Sequence, residues 1–256
     1  ISSEFTLTSG EPFRLEQAQQ GITNLYGTGL FSSVSMRTQR NGAHWNLALA
    51  FEEKKYHLVR WGARYDSERL GRTFVEWAQE NLFGTGNELT LHSQYGKRDM
   101  LFALAFNANR IFQTYLTSQV NIHHDVHKNF YYENFSGIGE YERRSSGGTF
   151  SLGSQLGRFG TVWAVGRSER INIRSISGYG YDNGDLIINT IGVNTVVDTR
   201  DRVPFPSSGK YYTFFYELSS GKFLGGDISY FKVENILHTH YTFLRRNTLS
   251  QKLLWG

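Results

Sequence analysis

Cysteine is absent from this 256-residue chain, and proline occurs only three times. Without cysteine there is no disulfide scaffold and no thiolate metal site. The lack fits the periplasm and outer membrane without fixing the compartment. Long apolar runs are missing too. The longest are of the kind seen at Leu101–Phe106, far short of the ~20 residues a membrane helix needs. That excludes a helical span but not a barrel, whose strands alternate and average to a modest hydropathy. Charge of one sign is scarce: the formal net charge is +4, with lysine and arginine scattered along the chain. Nucleic-acid binders concentrate their basic residues, so no nucleic-acid partner is expected. There is no N-terminal signal peptide, which suggests a mature or trimmed product.

What is present is glycine, 27 residues, and aromatic side chains at 15%, arranged with two different periods. Residues 1–55 mix helix and strand. Leu15, Ala18, Ile22 and Leu25 fall on one helical face, so a helix is predicted over 14–26 after an opening extended stretch. Pro12 precedes it, and Gly27 and Gly29 follow as stop signals. Two alternating strands meet at Asn41-Gly42, a strong hairpin signal. One carries Val34 and Met36, the other Trp45, Leu47, Leu49 and Phe51.

From Tyr56 onward the period is two. Val59, Trp61, Ala63 and Tyr65 alternate with Arg60, Gly62, Arg64 and Asp66, and the same rhythm recurs to the end of the chain. It predicts eleven strands, near 56–66, 70–83, 87–97, 100–110, 114–134, 140–156, 161–176, 186–199, 209–219, 226–238 and 247–256. Alternation alone also fits a soluble sandwich. Three features favour an antiparallel up-and-down transmembrane β-barrel: polar residues at most positions of one face, an aromatic-rich apolar face, and consecutive hairpins. Backbone in lipid must be fully paired, so such a meander has to close or nearly close. Trp61, Leu91, Phe102, Leu104 and Val193 are expected to face lipid. Arg60, Arg64, Arg72, Glu76, Glu80 and Gln94 are expected to face the lumen.

Five strings, in order, carry a resemblance. Gly10-Glu11-Pro12-Phe13 and then Ile22 to Val34, with Leu25-Tyr26-Gly27-Thr28-Gly29-Leu30-Phe31, resemble a POTRA domain whose hairpin ends in Glu52-Glu53-Lys54. Asn81-Leu82-Phe83-Gly84-Thr85-Gly86-Asn87 looks like a first periplasmic turn. Asp198-Thr199-Arg200-Asp201, with Pro204, Pro206 and Gly209, looks like a recurrent "D-T-R … P-x-x-G" turn. Gly225-Gly226-Asp227 with Phe231-Lys232, and the final strand, complete the set. Together they resemble the Omp85 superfamily of outer-membrane proteins. The resemblance implies a small α+β POTRA domain at 1–55 in the periplasm, and strands one to about eleven of a sixteen-stranded barrel at 56–256. The family's R-G-(F/Y) loop, which follows strand eleven, does not occur here; the chain is expected to be a fragment.

The resemblance also implies a working surface made of backbone. Strand one, His57, Leu58, Val59, Arg60, Trp61, Gly62, Ala63, Arg64 and Tyr65, would form a seam where a client strand pairs by β-augmentation, with Gly62 loosening it. The periplasmic turn residues would be Asn81, Gly84, Gly86, Asp198, Arg200, Pro206 and Gly209. The implied function is assembly or insertion of client outer-membrane proteins, with accessory subunits reaching the POTRA domain. Two alternatives are secretion of one partner protein through the lumen, and a membrane anchor for an upstream patatin-like lipase domain. No Gly-x-Ser-x-Gly elbow occurs, so no enzyme centre is expected within this chain. No cofactor is implied. His123, His124 and His127 with Asp125 could suggest a metal site, but His123 and His124 alternate to opposite faces, and a loop or rim placement is expected. His238 and His240 are expected at a periplasmic turn. Gly84-Thr85-Gly86 lacks the Lys-Ser/Thr and the helix of a phosphate loop.

Overall fold

The computed structural model describes residues 10, 13–27, 30–42, 44–108, 116–156, 159–178, 182–244 and 246–256. The opening stretch, Pro12 and Gly29 of the sequence reading lie outside them. The chain forms two compact units, Ile1–Leu58 with Ala78–Glu88, and Val59–Trp77 with Leu89–Gly256.

In the first unit α1 (Leu15–Gly27) precedes a hairpin of β1 (Phe31–Asn41) and β2 (His44–Glu53). Ala18 and Leu25 are fully buried, and Gly21 between them is buried as well. Leu25, Phe31 and Val34 form the core, with Ile22, Leu30 and Phe51 packed on it; the Phe31 and Phe51 rings are 5.1 Å apart. Leu15 departs from the predicted face: it is 56% exposed. It stands in the first turn of the helix, outside that core. Gly42 turns the hairpin with φ 61°. The Leu30 carbonyl accepts both the Lys54 amide (3.1 Å) and the Tyr56 hydroxyl (2.9 Å).

The strands after Tyr56 are β3 (His57–Asp66), β4 (Leu70–Leu82), β5 (Asn87–Gly96), β6 (Asp99–Ala108), β7 (Leu116–Glu133), β8 (Ser136–Leu156), β9 (Gly160–Gly178), β10 (Gly184–Asp198), β11 (Gly209–Ser219), β12 (Tyr230–Phe243) and β13 (Asn247–Trp255). They form one eleven-stranded sheet in sequence order, with β3 and β13 at its two ends. The sheet is not closed on itself among the described residues. One further helix, α2 (Gly221–Leu224), is a single turn capped by Ser220 and by Gly225 at φ 69°.

The strand predicted at 114–134 is found and ends at Glu133, but the next begins at Ser136 and not at 140: β7 turns into β8 through Asn134 and Phe135 alone, both at positive φ. His123, His124 and His127 are therefore inside β7, not in a loop. Gly226 and Asp227 are not in a strand. β11 stops opposite Thr190, beyond the reach of Ile187. The Asp227 amide donates to the Ile187 carbonyl (2.8 Å), and the Asp227 carboxylate accepts the Ile187 amide (2.6 Å). Backbone groups that lose a ladder partner must find another, and this connection supplies it. β12 consequently starts later and runs to Phe243, so His238 and His240 lie within a strand and not at a turn.

The period of two holds along the strands, apart from register shifts at Tyr131/Tyr132 and Glu140/Tyr141. Arg60, Glu76 and His92 meet on one face, and Asp99, Asp125 and Glu169 belong to the same face through their partners. The opposite face carries Val59, Trp61, Tyr65, Val75, Leu91, Phe102, Ile122, Phe150, Ile191 and Val193, all exposed, Trp61 at 80%.

Candidate functional site

β3 supplies the predicted seam residues His57 to Tyr65, and it ends the strand order of the sheet. Arg60 pairs with Glu76 at 2.5 Å, and Glu76 also takes His92 Nδ1 at 3.1 Å. Gly62 lies under an aromatic ring. A Cβ placed on it would sit 2.6 Å from Phe74 Cε1, and Phe74 stacks on His92 at 5.6 Å. The space left by the missing side chain in β3 is thus taken by its neighbour. Arg64 stands 3.8 Å from Asp66, which binds Arg72 at 3.2 Å.

The two turn motifs owe their shape to specific bonds. Asn81 folds its side-chain oxygen onto the Gly86 amide (2.7 Å), and its carbonyl accepts Gly84 N–H (3.3 Å). Phe83, Gly84 and Gly86 all have positive φ, which explains two of the three residue types. Across 198–209, Asp198 grips Arg200 at 2.9 and 2.7 Å, and that guanidinium lies 4.6 Å over the Tyr211 ring. Asp201 accepts the Ser207 hydroxyl and the Ser207 and Ser208 amides. The Ser207 hydroxyl first, and the Ser208 amide next, hold its carboxyl well below the ordinary carboxylate range. Gly209 adopts φ 101°, and a Cβ there would meet the Thr199 carbonyl oxygen at 2.3 Å. Pro206 lies in the same connection.

The sequence reading did not foresee a continuous ribbon of charge on the polar face. Arg69 and Arg72 hold Asp99 at 2.5 and 3.1 Å. Asp99 takes His127 Nδ1 at 2.7 Å, and His127 Nε2 reaches Asp125 at 3.2 Å. Arg143 links Asp125 (3.3 Å) to Glu169 (3.1 Å). Glu169 also accepts the buried Ser145 hydroxyl and binds Arg167 at 2.7 Å, and Arg167 continues to Glu217 at 3.0 Å. Glu217 accepts the Tyr230 hydroxyl at 2.6 Å. Each carboxylate that leaves water here is met by at least one guanidinium, as burial of charge requires. Both nitrogens of His127 face carboxylates, and His123 and His124 lie on opposite faces, the latter bonded to Ser146 at 2.7 Å. Among the described residues no group of three histidine, cysteine or acidic residues is placed to hold a metal ion. The signal for the ribbon was present only as single charged residues scattered from Arg69 to Glu217, and joining them needs the register.

Comparison with known proteins accords with this arrangement. The Omp85 superfamily domain matches residues 81–256. The fold is similar to that of BamA from Haemophilus ducreyi, in a crystal structure lacking POTRA domains 1-3. The TM-score is 0.72 at 15% identity, covering 93% of this chain and 48% of that one. It is also similar to CdiB from Acinetobacter baumannii, with a TM-score of 0.52 at 10% identity, covering 100% of this chain and 50% of that one. The chain spans about half the length of these structures. No curated protein sequence matches it. With the family domain matched over well more than half of its length, this chain belongs to the Omp85 superfamily.

Proposed function

We propose that this chain is part of an outer-membrane barrel that inserts or assembles client barrel proteins, with a client strand pairing along the edge of β3. The observation that carries the reading is a sheet that is apolar on one face and charged on the other, with β3 as its first strand and its later strands within the matched Omp85 superfamily domain. Such a sheet suits a boundary between lipid and a hydrated interior. In this reading β3 meets the closing strand of the full barrel at a seam, and a client strand pairs there by β-augmentation. In the same reading residues 1–55 are a POTRA domain in the periplasm, receiving client or accessory subunits, and the 81–87 and 198–209 turns lie on the periplasmic side.

The test is a reversible lock. In the full-length protein, cysteines would join β3 to the strand that closes against it, in a chain whose 256 residues hold no native cysteine. Oxidation should stop client insertion and reduction should restore it, while heat-modifiable mobility shows the barrel still folded. Client insertion at the normal rate through the locked barrel overturns the reading. Secretion of a partner that survives the lock would identify a two-partner translocator. Lipid hydrolysis that survives it, with no client handled, would identify a lipase anchor.

A further inference from the structure

The apolar face changes character along β8 and β9 in step. On β8 the residues of that face run Phe150, Gly148, Ser146, Arg144. On β9 they run Gly166, Ser168, Arg170. The register pairs Phe150 with Gly166, Gly148 with Ser168 and Ser146 with Arg170. Both strands therefore pass from a floor without side chains, through hydroxyls, to guanidiniums within about 13 Å, four residues at strand rise.

The floor is a shallow, open depression. Gly148, Gly166 and Ser168 line it together with Val120, Ile122 and Phe150. A Cβ on Gly166 would meet nothing within 4 Å. At the polar end cations crowd together. Arg144 lies opposite Asn172, which sets it diagonal to both Arg170 and Arg174. Lys128, opposite Glu142, is its diagonal neighbour on the other side. Diagonal partners sit ~7–8 Å apart, and like charges so placed oppose folding. Glu142 binds Arg144 at 2.6 Å, and Asp185 lies 3.7 Å from Arg170. Among the described residues these four cations share two carboxylate partners, so the cluster as a whole carries more positive than negative charge. The side chains of Arg144 and Arg170 are 48% and 67% exposed. A guanidinium fork matches a phosphate in shape and charge.

We infer that this strip is a binding site for a phosphate-bearing lipid, with the headgroup held by the cluster of Lys128, Arg144, Arg170 and Arg174 and one acyl chain lying along Gly148 and Gly166. The inference rests on the reading of the sheet as a membrane barrel. It adds a fixed lipid at one place on the surface, where a bare apolar band would take any lipid equally. The basic cluster supplies headgroup selectivity, and the depression supplies an apolar contact that free phosphate cannot make.

The experiment measures lipid retention by native mass spectrometry of the full-length protein in detergent micelles. The probes are phosphatidic acid, diacylglycerol with the same chains, and inorganic phosphate. Phosphatidic acid should be retained, diacylglycerol should not, and millimolar phosphate should not displace it. Arg144→Gln with Arg170→Gln should weaken retention about tenfold or more. Gly166→Leu, which fills an open space, should weaken retention with both arginines intact. Equal retention by the variants, equal retention of diacylglycerol, or displacement by phosphate alone each overturns the site. Insertion into phosphatidylcholine vesicles is followed separately. A protein that inserts but shows no selectivity loses this site and keeps the barrel reading, whereas failure to insert removes the barrel reading.

Discussion

The ring of Phe74 lies over Gly62, so close that a Cβ on the glycine would stand 2.6 Å from Cε1. β3 and β4 are thus keyed together at a point where the sequence alone suggests a weak strand. Filling a packed site with extra methylenes costs ~1–3 kcal/mol. Gly62→Leu should destabilise the folded sheet by about that amount in urea titrations. Gly62→Leu with Phe74→Ala should lose less than the sum of the two single changes, because contacting residues couple. Strict additivity would show that the ring and the glycine do not constrain each other.

The two faces of the sheet should respond oppositely to one substitution. Leu104 belongs to the apolar face with Phe102, whereas Gln94 shares the period of His92 on the charged face. An arginine facing lipid at mid-bilayer costs ~2–4 kcal/mol, and one facing the lumen costs little. Folding titrations into vesicles should therefore separate Leu104→Arg from Gln94→Arg by about that margin. Equal losses would mean that the faces are reversed or that the sheet does not sit in a bilayer.

Arg143 spans Asp125 and Glu169, two carboxylates with side chains only 11% and 9% exposed. Replacing it by methionine keeps most of the volume and leaves both carboxylates one guanidinium short. Breaking a fully buried pair costs ~3–5 kcal/mol. Arg143 itself is 34% exposed, so solvent screening reduces the expected loss to about 1–3 kcal/mol. Asp125→Asn introduced alongside should recover part of it. An Arg143→Met protein as stable as its parent would show that the ribbon contributes nothing measurable at this link.

Asp201 sits outside the strands, in the 199–208 connection, and its carboxyl is held below its ordinary value of 3.8. A carboxylate whose folded value is depressed stabilises the fold above its unfolded value and loses that contribution as pH falls through the folded one. The turn should hold together at neutral and mildly acidic pH and loosen only in stronger acid. Amide exchange at Ser207 and Ser208 reports this directly. Asp201→Asn should raise exchange at pH 5 and flatten its acid dependence, and an unchanged profile would remove the carboxylate from the account of this turn.

Local pattern alone determined much of this protein. The period of two assigned Trp61, Leu91, Phe102 and Val193 to one face and Arg60, Glu76 and Gln94 to the other, because successive side chains of a strand must alternate. Spacing marked Ala18, Ile22 and Leu25 as the packed side of α1, and glycines marked turns that need positive φ, as at Gly42, Gly84, Gly86 and Gly209. What stayed hidden depends on which strand residue lies opposite which. That Arg143 would meet both Asp125 and Glu169, that Phe74 would cover Gly62, and that Asp227 would take over the backbone of Ile187 follows from the register, fixed by the whole sheet at once. Leu15 shows the same limit: its spacing put it on the apolar face, but the hairpin core centres on Leu25, Phe31 and Val34, and Leu15 at the start of the helix remains exposed.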